Sequence, residues 1–191
     1  MKFEKISYAQ FEKDSTFKNK EEIYNNLKIP CKATKGSKGY DFFAPAGFTL
    51  APGGSLNIPT GIKCQLDDDK GLFIFPRSGL GFKYMIQLAN TIGVVDVDYY
   101  GNEGNEGHIF IKLHNGGSQT VKVKAGEAFA QGIILQCFDV EDEETPSQIR
   151  KGGFGSTTTE ESSTIEEKEE PSVIEIVEEQ DEMFYSESED E

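Results

Sequence analysis

A carboxylate lies inside an apolar stretch near the middle of the chain. Residues 90–99 read Asn-Thr-Ile-Gly-Val-Val-Asp-Val-Asp-Tyr, which places Asp96 between Val95 and Val97. Because Asp and Asn are poor strand formers, their presence beside valines indicates a hairpin that presents polar groups to a small ligand. The alternative for this segment alone is an ordinary turn with Asp96 at its rim.

The segment just upstream has groups that suit a phosphate. A continuous apolar run at residues 72–75 predicts a buried strand. It is followed by the loop Pro76-Arg77-Ser78-Gly79-Leu80-Gly81. The Arg77 guanidinium matches phosphate oxygens in a bidentate manner, and the loop adds a hydroxyl and backbone N–H groups. Arg77 and Ser78 are therefore candidate phosphate ligands.

A third segment, residues 150–157, places one aromatic ring among glycines. It reads Arg-Lys-Gly-Gly-Phe-Gly-Ser-Thr. In a mobile arm of this composition the Phe154 ring can cover a flat ligand, while the N–H, hydroxyl and cationic groups bind phosphate. The alternative is a solvated linker that happens to contain an aromatic residue.

These three segments and two others resemble the five ordered motifs of the trimeric deoxyuridine triphosphatases (dUTPases). The other two are Gly-Ser-Lys-Gly-Tyr-Asp at residues 36–41 and Gly-Glu-Ala-Phe-Ala-Gln-Gly-Ile at residues 126–133. One such motif is weak evidence, whereas five in the family's order are strong. The resemblance covers roughly residues 28–158, and residues 82–84 and 105–109 are most similar to versions from bacteriophages and Gram-positive bacteria.

The resemblance implies a fold, an activity and a set of site residues. The implied protein is an all-β jelly-roll subunit of a homotrimer with shared active sites, and it hydrolyses dUTP to dUMP and pyrophosphate with Mg²⁺. Asp96 is implied as the catalytic carboxylate that activates water, and Asp41 as a contact of Mg²⁺ through water. The implied substrate-binding residues are Arg77, Ser78, Gly79, Asn90, Gly93, Val95, Tyr99, Gln131, Arg150, Phe154, Gly155 and Ser156.

The resemblance also divides the substrate among these residues. Asn90 and the hairpin backbone at residues 93–96 would read the uracil edge, and Phe154 would cover the base. Tyr99 would lie against the deoxyribose, where its ring leaves no room for a 2′-hydroxyl. The upstream loop and Gln131 would hold the phosphates.

Three of these positions also have ordinary structural explanations. Asp41 follows Gly-Tyr and could be a turn residue. Gln131 could be an outward-facing strand residue, and Ser78 could cap a turn.

The chain departs from the family's pattern in three places. Lys38 stands where the family usually has a small residue. Arg150 precedes Phe154 by four positions rather than five, which leaves open whether Arg150 or Lys151 contacts the γ-phosphate. Residues 102–104, the first copy of the repeated triplet Asn-Glu-Gly at residues 102–107, are an insertion that lengthens the hairpin after Tyr99 and could alter access at the rim of the pocket. The alternative for the repeated triplet is an ordinary hairpin tip.

The net charge of −15 comes almost entirely from the C-terminal end. Residues 157–191 contain fifteen acidic residues and one lysine, a composition that predicts disorder and argues against a nucleic-acid partner. The apolar island at residues 173–177 could add a strand to the sheet of an unknown protein partner. The alternative is a tail that only promotes solubility.

The rest of the chain predicts a single domain with appendages. Short strands separated by turn residues indicate a sandwich or barrel, and residues 20–27 predict a short helix with Ile23 and Leu27 on one face. The predicted strands are residues 48–50, 55–58, 61–66, 72–75, 84–88, 108–113, 120–123 and 128–138. The predicted units are an N-terminal extension that packs on the barrel (1–29), a dUTPase-like β domain (30–145), a mobile C-terminal arm (146–158) and a disordered acidic tail (159–191).

Cysteines and histidines give no metal or disulfide pattern. Cys31, Cys64 and Cys137 are widely spaced and odd in number, so we expect buried free thiols in a reducing compartment. His108 and His114 fall on one side of a predicted strand without a third ligand, and we expect surface or interface histidines. No apolar run approaches about 18 residues and no leader is evident. These features predict a cytoplasmic protein without membrane contact, in the host cytoplasm if the protein is viral.

Two other functions remain open at this point. A dCTP deaminase resembles the same fold, although its glutamate-based motif is not evident in this chain, and release of ammonia from dCTP would identify it. A dUTPase-like scaffold could instead serve as a partner-binding regulatory module. The presence of Asp96 and Phe154 argues against lost catalysis but not against added binding.

The acidic tail contains none of the five motifs, so its removal should leave activity and stability nearly unchanged. Deletion of residues 159–191 is expected to preserve kcat/KM for dUTP and the melting temperature, because disordered polyanions contribute little to a folded core. Steady-state kinetics and calorimetry of the shortened protein check this. Dispersed, exchange-protected backbone NMR signals from residues 160–191 of the full chain would contradict the underlying expectation of disorder.

Overall fold

The computed structural model describes residues 1–140, which form eleven β-strands, three short α-helices and one 3₁₀ turn. The strands are β1 (Lys2–Lys5), β2 (Tyr40–Phe43), β3 (Phe48–Leu50), β4 (Ser55–Pro59), β5 (Ile62–Gln65), β6 (Lys70–Pro76), β7 (Ile86–Leu88), β8 (Gly93–Val95), β9 (Phe110–Asn115), β10 (Val121–Val123) and β11 (Ala128–Gln136). The helices are α1 (Tyr8–Asp14), α2 (Lys20–Asn26) and α3 (Ser78–Tyr84), and the 3₁₀ turn is Val97–Tyr99.

The described strands form four small antiparallel sheets. Their orders are β1-β5, β10-β3, β2-β11-β6-β8 and β4-β9-β7. Alternation along the strands places apolar side chains on the inner face, as in β10, where Val121 and Val123 are buried and Lys122 is exposed. The predicted all-β, jelly-roll class of fold is confirmed.

One large apolar cluster holds these sheets together. Its members come from nearly every strand, and removal of each large side chain from water contributes about 1.5–3 kcal/mol. Its most deeply buried large side chains include Phe42, Ile62, Leu72, Ile74, Ile109, Ile111, Leu113 and Phe129.

The N-terminal segment has its own small core and is hydrogen-bonded to the main domain. Strand β1 pairs with β5, and Ile6, Phe11 and Leu27 form a second buried cluster against which Ile23 packs. The short helix predicted at residues 20–27 is present as α2, whereas β1 and α1 were not predicted. The backbone at Gly61 lies close to this second cluster, and only glycine fits there, because a β-carbon on residue 61 would lie 2.4 Å from Leu27 Cδ1.

The loop predicted after Pro76 is instead helical, and the prediction was wrong there. Helix α3 begins directly after Arg77 and ends where Met85 takes a left-handed conformation, with φ of +55°. The next strand therefore starts at Ile86 rather than at Tyr84. Two glycines in a seven-residue helix lower its intrinsic propensity, which explains why the sequence reads as a loop.

The expectation of surface or interface histidines was also wrong for His108. The His108 ring is completely buried, with Nδ1 2.7 Å from Asp14 Oδ2 and Nε2 accepting the Gly61 N–H at 2.8 Å. Because the backbone N–H can only donate, Nε2 must be unprotonated and Nδ1 carries the proton to Asp14. His114 is half-buried on β9 with Nδ1 3.0 Å from the Ser55 hydroxyl.

The three cysteines differ in exposure, contrary to the expectation that all are buried. Cys64 is buried, and burial raises the pKa of its thiol to about 12. Cys31 and Cys137 are exposed free thiols.

Within residues 1–140, no helix is long and apolar enough to cross a membrane.

The buried His108 predicts a pH-dependent stability. Burial lowers its pKa below the ordinary value of 6.5, and the Asp14 carboxylate opposes this shift. The free energy of unfolding should therefore be largest above pH 6.5 and fall below it, because the unfolded chain then binds a proton that the folded chain does not. Urea unfolding at pH 7.5, 6.5 and 5.5 measures this loss of stability.

Two variants separate His108 from the other titrating groups. His108→Gln should lose less stability between pH 7.5 and 5.5 than the wild type, because its amide does not titrate. Asp14→Asn removes the negative charge that opposes the lowering of the His108 pKa. The stability of this variant should therefore go on falling at pH values below those at which the wild type stops losing stability. Equal losses in the wild type and His108→Gln would contradict this assignment.

Candidate active site

A cavity of about 540 Å³ lies beside strand β8 and the turn that precedes it. Its walls are mostly apolar, with a few amide and cationic groups, which suits a flat ligand with a polar edge. The lining residues are Asn57, Ile74, Leu88, Ala89, Asn90, Gly93, Val94, Val95, Tyr99, Ile109, Phe110 and Lys112. Four predicted site residues, Asn90, Gly93, Val95 and Tyr99, therefore meet in this cavity.

A tight turn places Asn90 at the mouth of this cavity. The Thr91 N–H donates to the Leu88 carbonyl at 3.0 Å, and the Ile92 N–H donates to the Asn90 carbonyl at 2.7 Å. Thr91 takes a left-handed conformation with φ of +67°, which reverses the chain and leaves Asn90 exposed.

Strand β8 follows this turn and is packed closely against β6. Gly93 pairs with Ile74, and a β-carbon on Gly93 would lie 3.1 Å from the Ile74 β-carbon. Glycine at this position allows the backbone of β8 to lie close to β6, and β8 is the edge strand of its sheet.

Asp96 follows β8 directly, at the start of the 3₁₀ turn. Its carbonyl accepts the Tyr99 N–H at 3.3 Å, and its side chain is partly exposed. A strand end and a one-turn helix thus hold this carboxylate within a few residues of the cavity lining. The predicted hairpin is not seen in residues 1–140, because β8 pairs with β6 whereas β7 pairs with β9 in a different sheet.

Tyr99 contributes an almost fully buried ring to the cavity wall. Only 5% of the residue is exposed. Its hydroxyl donates to the His108 carbonyl at 2.7 Å and accepts from Asn105 Nδ2 at 2.9 Å. These bonds restrict rotation of the ring about its side-chain torsions.

A second group of predicted residues meets at the end of β6. Gln131 on β11 pairs with Asp41 on β2 and with Phe75 on β6, and its side-chain amide donates to the Pro76 carbonyl at 3.1 Å. Arg77 Nε lies 3.3 Å from Asp41 Oδ1. Asp41, Arg77 and Gln131, from three separate motifs, are therefore neighbours.

Close packing of Gly39 completes this second group. A β-carbon on Gly39 would lie 2.7 Å from Gln131 Oε1, so the glycine of the first motif leaves room for the glutamine of the fourth. Ser78 and Gly79 begin α3 and are exposed. All five predicted residues of this group lie outside the lining of the 540 Å³ cavity.

Other predicted residues are beyond the part of the chain that the structure describes. These are Arg150, Lys151, Phe154, Gly155 and Ser156, together with the predicted C-terminal arm and acidic tail.

Sequence reasoning missed the residues that line the cavity from a second sheet. Asn57 on β4 and Lys112 on β9 are paired neighbours that line the same cavity as Asn90. Both lie in short strands that were predicted, but nothing in either strand's pattern indicates which ligand its outer face meets.

Comparison with known proteins gives a consistent assignment. The dUTPase family model matches residues 25–158. The deoxyuridine 5′-triphosphate nucleotidohydrolase of Lactococcus lactis is 37% identical over 132 residues, which cover 69% of this chain and 88% of that protein. The enzyme of the same name from Aeromonas salmonicida is 38% identical over 143 residues, covering 71% and 90%.

Solved structures agree with this result. The dUTPase from Streptococcus mutans superposes with a TM-score of 0.59 at 33% identity, over 74% of this chain and 99% of that one. The dUTPase of phage phi11 of S. aureus, in a structure that describes coordination of a structural Mg(II) ion, shares the fold at 18% identity with a TM-score of 0.52, over 63% and 90%. The chain belongs to the dUTPase family, which confirms the resemblance seen in its motifs.

The exposure of Arg77 predicts a residue that matters little for stability. The Arg77 side chain is 40% exposed beside an Asp41 that is 14% exposed, and partly exposed ion pairs contribute about 0–1 kcal/mol. Arg77→Gln should therefore lower the free energy of unfolding by less than about 1 kcal/mol, as measured by urea titration. Leu72→Ala is the contrasting control, because loss of this buried side chain should cost about 2–5 kcal/mol. A comparable loss in both variants would make Arg77 a structural residue.

Proposed function

We propose that this protein hydrolyses dUTP to dUMP and pyrophosphate. The observation that supports this most directly is the cavity in which Asn90, Gly93, Val95 and Tyr99 meet. These residues were assigned to the uracil and the deoxyribose from the family motifs alone. The cavity's size lies within the range typical of small-molecule sites.

In the proposed reaction, Asp96 takes a proton from a water molecule that attacks the α-phosphorus. A new O–P bond forms, the bond from the α-phosphorus to the bridging oxygen breaks, and pyrophosphate leaves. A positioned general base of this kind usually contributes about 10²–10⁴-fold in rate. The strand end and 3₁₀ turn around Asp96 provide the rigid support that such a base needs.

Recognition of the nucleoside follows from the cavity walls. Asn90 and the backbone of the edge strand β8 would bond the uracil edge, and the close approach of Gly93 to Ile74 would keep the pocket too tight for a thymine methyl. The buried ring of Tyr99 would exclude a ribose 2′-hydroxyl by contact. Phe154 would cover the base, as its motif predicts.

The triphosphate would be bound by the second group of residues. Arg77, Ser78, Gly79 and Gln131 are proposed to hold the phosphates, joined by Arg150 or Lys151 and the segment with Gly155 and Ser156. The guanidinium of Arg77 is accessible at 40% exposure. Its partner Asp41 would exchange part of that contact for the water shell of a metal ion.

We propose Mg²⁺ as the cofactor, bound chiefly by the phosphates. Among residues 1–140, no three His, Cys, Asp or Glu side chains are grouped closely enough to hold a metal ion. Such a site suits Mg²⁺, a small hard cation that keeps several bound waters and is coordinated mainly by the phosphate oxygens of the substrate. Bound there, Mg²⁺ would neutralise phosphate charge, with Asp41 as its protein contact through water.

The separation of the two groups favours an assembly with shared sites, and we propose a homotrimer. In one subunit the Asp41–Arg77–Gln131 group lies outside the lining of the nucleoside cavity. Large apolar side chains are also exposed, which is typical of surfaces that pair with another chain. They include Phe82 at 92%, Met85 at 64%, Val94 at 55% and Phe138 at 83% exposure.

A cytoplasmic location and a protein partner for the acidic tail are proposed from the sequence alone.

The most direct test measures pyrophosphate release from dUTP, dTTP, dCTP and UTP, each with and without Mg²⁺. Rapid release from dUTP alone, dependent on Mg²⁺, is expected. Ammonia from dCTP would indicate the deaminase alternative, and no turnover of any nucleotide would overturn the proposed activity.

Replacement of the proposed base should separate chemistry from binding. Asp96→Asn should lower kcat by at least about 10²-fold with little change in dUTP affinity, as loss of a general base does. Single-turnover kinetics and calorimetric titration of dUTP measure the two effects. Asp98→Asn, two residues on at an exposed position, is the matched control and should retain much more activity. Near-normal turnover by Asp96→Asn would exclude it as the base.

A further inference from the structure

The loop at residues 102–108 wraps around Tyr99. Asn102 Nδ2 donates to the Tyr99 carbonyl at 2.9 Å, and Asn105 Nδ2 donates to the Tyr99 hydroxyl at 2.9 Å. Gly107 passes so close that a β-carbon on it would lie 2.6 Å from the Tyr99 carbonyl oxygen, and its φ is +83°. The repeated Asn-Glu-Gly triplet therefore contacts both ends of one cavity residue.

Asn105 is the centre of this loop. Its Oδ1 accepts from Asn102 Nδ2 at 2.8 Å and from the Gly107 N–H at 3.1 Å. The same side chain thus holds the loop in shape with its oxygen and holds the Tyr99 hydroxyl with its nitrogen. A hydroxyl that both donates to the His108 carbonyl and accepts from Asn105 is fixed in two directions.

The far side of the loop is fixed to the N-terminal segment. The Glu106 carboxylate accepts the Ser7 N–H at 3.0 Å and the Ser7 hydroxyl, and the hydroxyl bond lowers the pKa of Glu106. His108 bonds Asp14 on α1. These contacts hold the loop from outside, so its position does not depend on Tyr99 alone.

We propose that Asn105 is a positioning residue that sets the selectivity for deoxyribose over ribose, acting through the Tyr99 hydroxyl. This inference rests on the proposed function, in which the Tyr99 ring fills the space of a 2′-hydroxyl. Without the Asn105 amide, the ring loses one of its two fixed hydrogen bonds and can shift away from the sugar. A 2′-hydroxyl then fits, and the substrate preference weakens.

The test compares kcat/KM for dUTP with kcat/KM for UTP. Asn105→Ala should lower the ratio of the two at least about 10-fold, mainly through a gain of UTP hydrolysis relative to dUTP. A loop that merely became less stable would reduce the active fraction and scale both substrates equally, leaving the ratio unchanged. A ratio within twofold of the wild type would therefore overturn the role of Asn105.

A double-mutant cycle shows whether the effect passes through the hydroxyl. In a Tyr99→Phe background, which lacks the group that Asn105 bonds, Asn105→Ala should change the ratio by less than threefold. An undiminished effect in that background would overturn the proposed route. Glu103→Ala is the matched control from the exposed tip of the same loop, and its ratio should equal that of the wild type.

Two further measurements keep the test decisive. If Asn105→Ala does not fold, Asn105→Ser replaces it, because a serine hydroxyl remains near the Gly107 N–H but is too short to reach Tyr99. The same loss of selectivity is expected.

A wild-type protein that hydrolyses dUTP and UTP equally would overturn the proposed function itself. A selective wild type with an equally selective Asn105 variant would overturn only the role of Asn105.

Discussion

The register of strand β6 is the constraint on which the rest of the structure depends. Ile74, near its middle, is paired on one edge with Gly93 of β8 and on the other with Gly132 of β11. β-Carbons on these glycines would lie 3.1 Å from the Ile74 β-carbon and 2.8 Å from Leu72 Cδ1, respectively. A shift of one residue would move every side chain of β6 to the opposite face. In the observed register, Ile74 and Leu72 occupy the space that side chains at Gly93 and Gly132 would need.

This single register places both halves of the candidate site. On the β8 edge it fixes the position along β6 of the strand that lines the nucleoside cavity. On the β11 edge it pairs Phe75 with Gln131, and the strand then ends so that Arg77 meets Asp41. The Asp41–Arg77–Gln131 group and the nucleoside cavity are therefore rigidly related within a subunit, although this group lies outside the lining of the cavity.

The sequence predicted the parts of the molecule whose signals are local. Glycine-containing motifs, strand alternation and the order of the segments were enough to identify the family and four of the twelve residues that line the cavity, because each motif needs specific residue types at fixed spacing. Helix α3 was missed because its glycines give it low propensity. His108 was misjudged because its partners, Asp14 and the Gly61 N–H, are 94 and 47 residues away, and no local pattern records such a contact.

Asn105 illustrates the same limit from the functional side. Turn chemistry explains why asparagine and glycine occur at residues 102–107, so the triplets read as an ordinary hairpin tip. The side chain acquires a second role only because the loop folds back on Tyr99, six residues earlier. The N-terminal segment then holds the outside of that loop through Ser7 and Asp14. A segment outside all five motifs thereby supports a wall of the cavity, and its packing on the main domain becomes part of how the site keeps its shape.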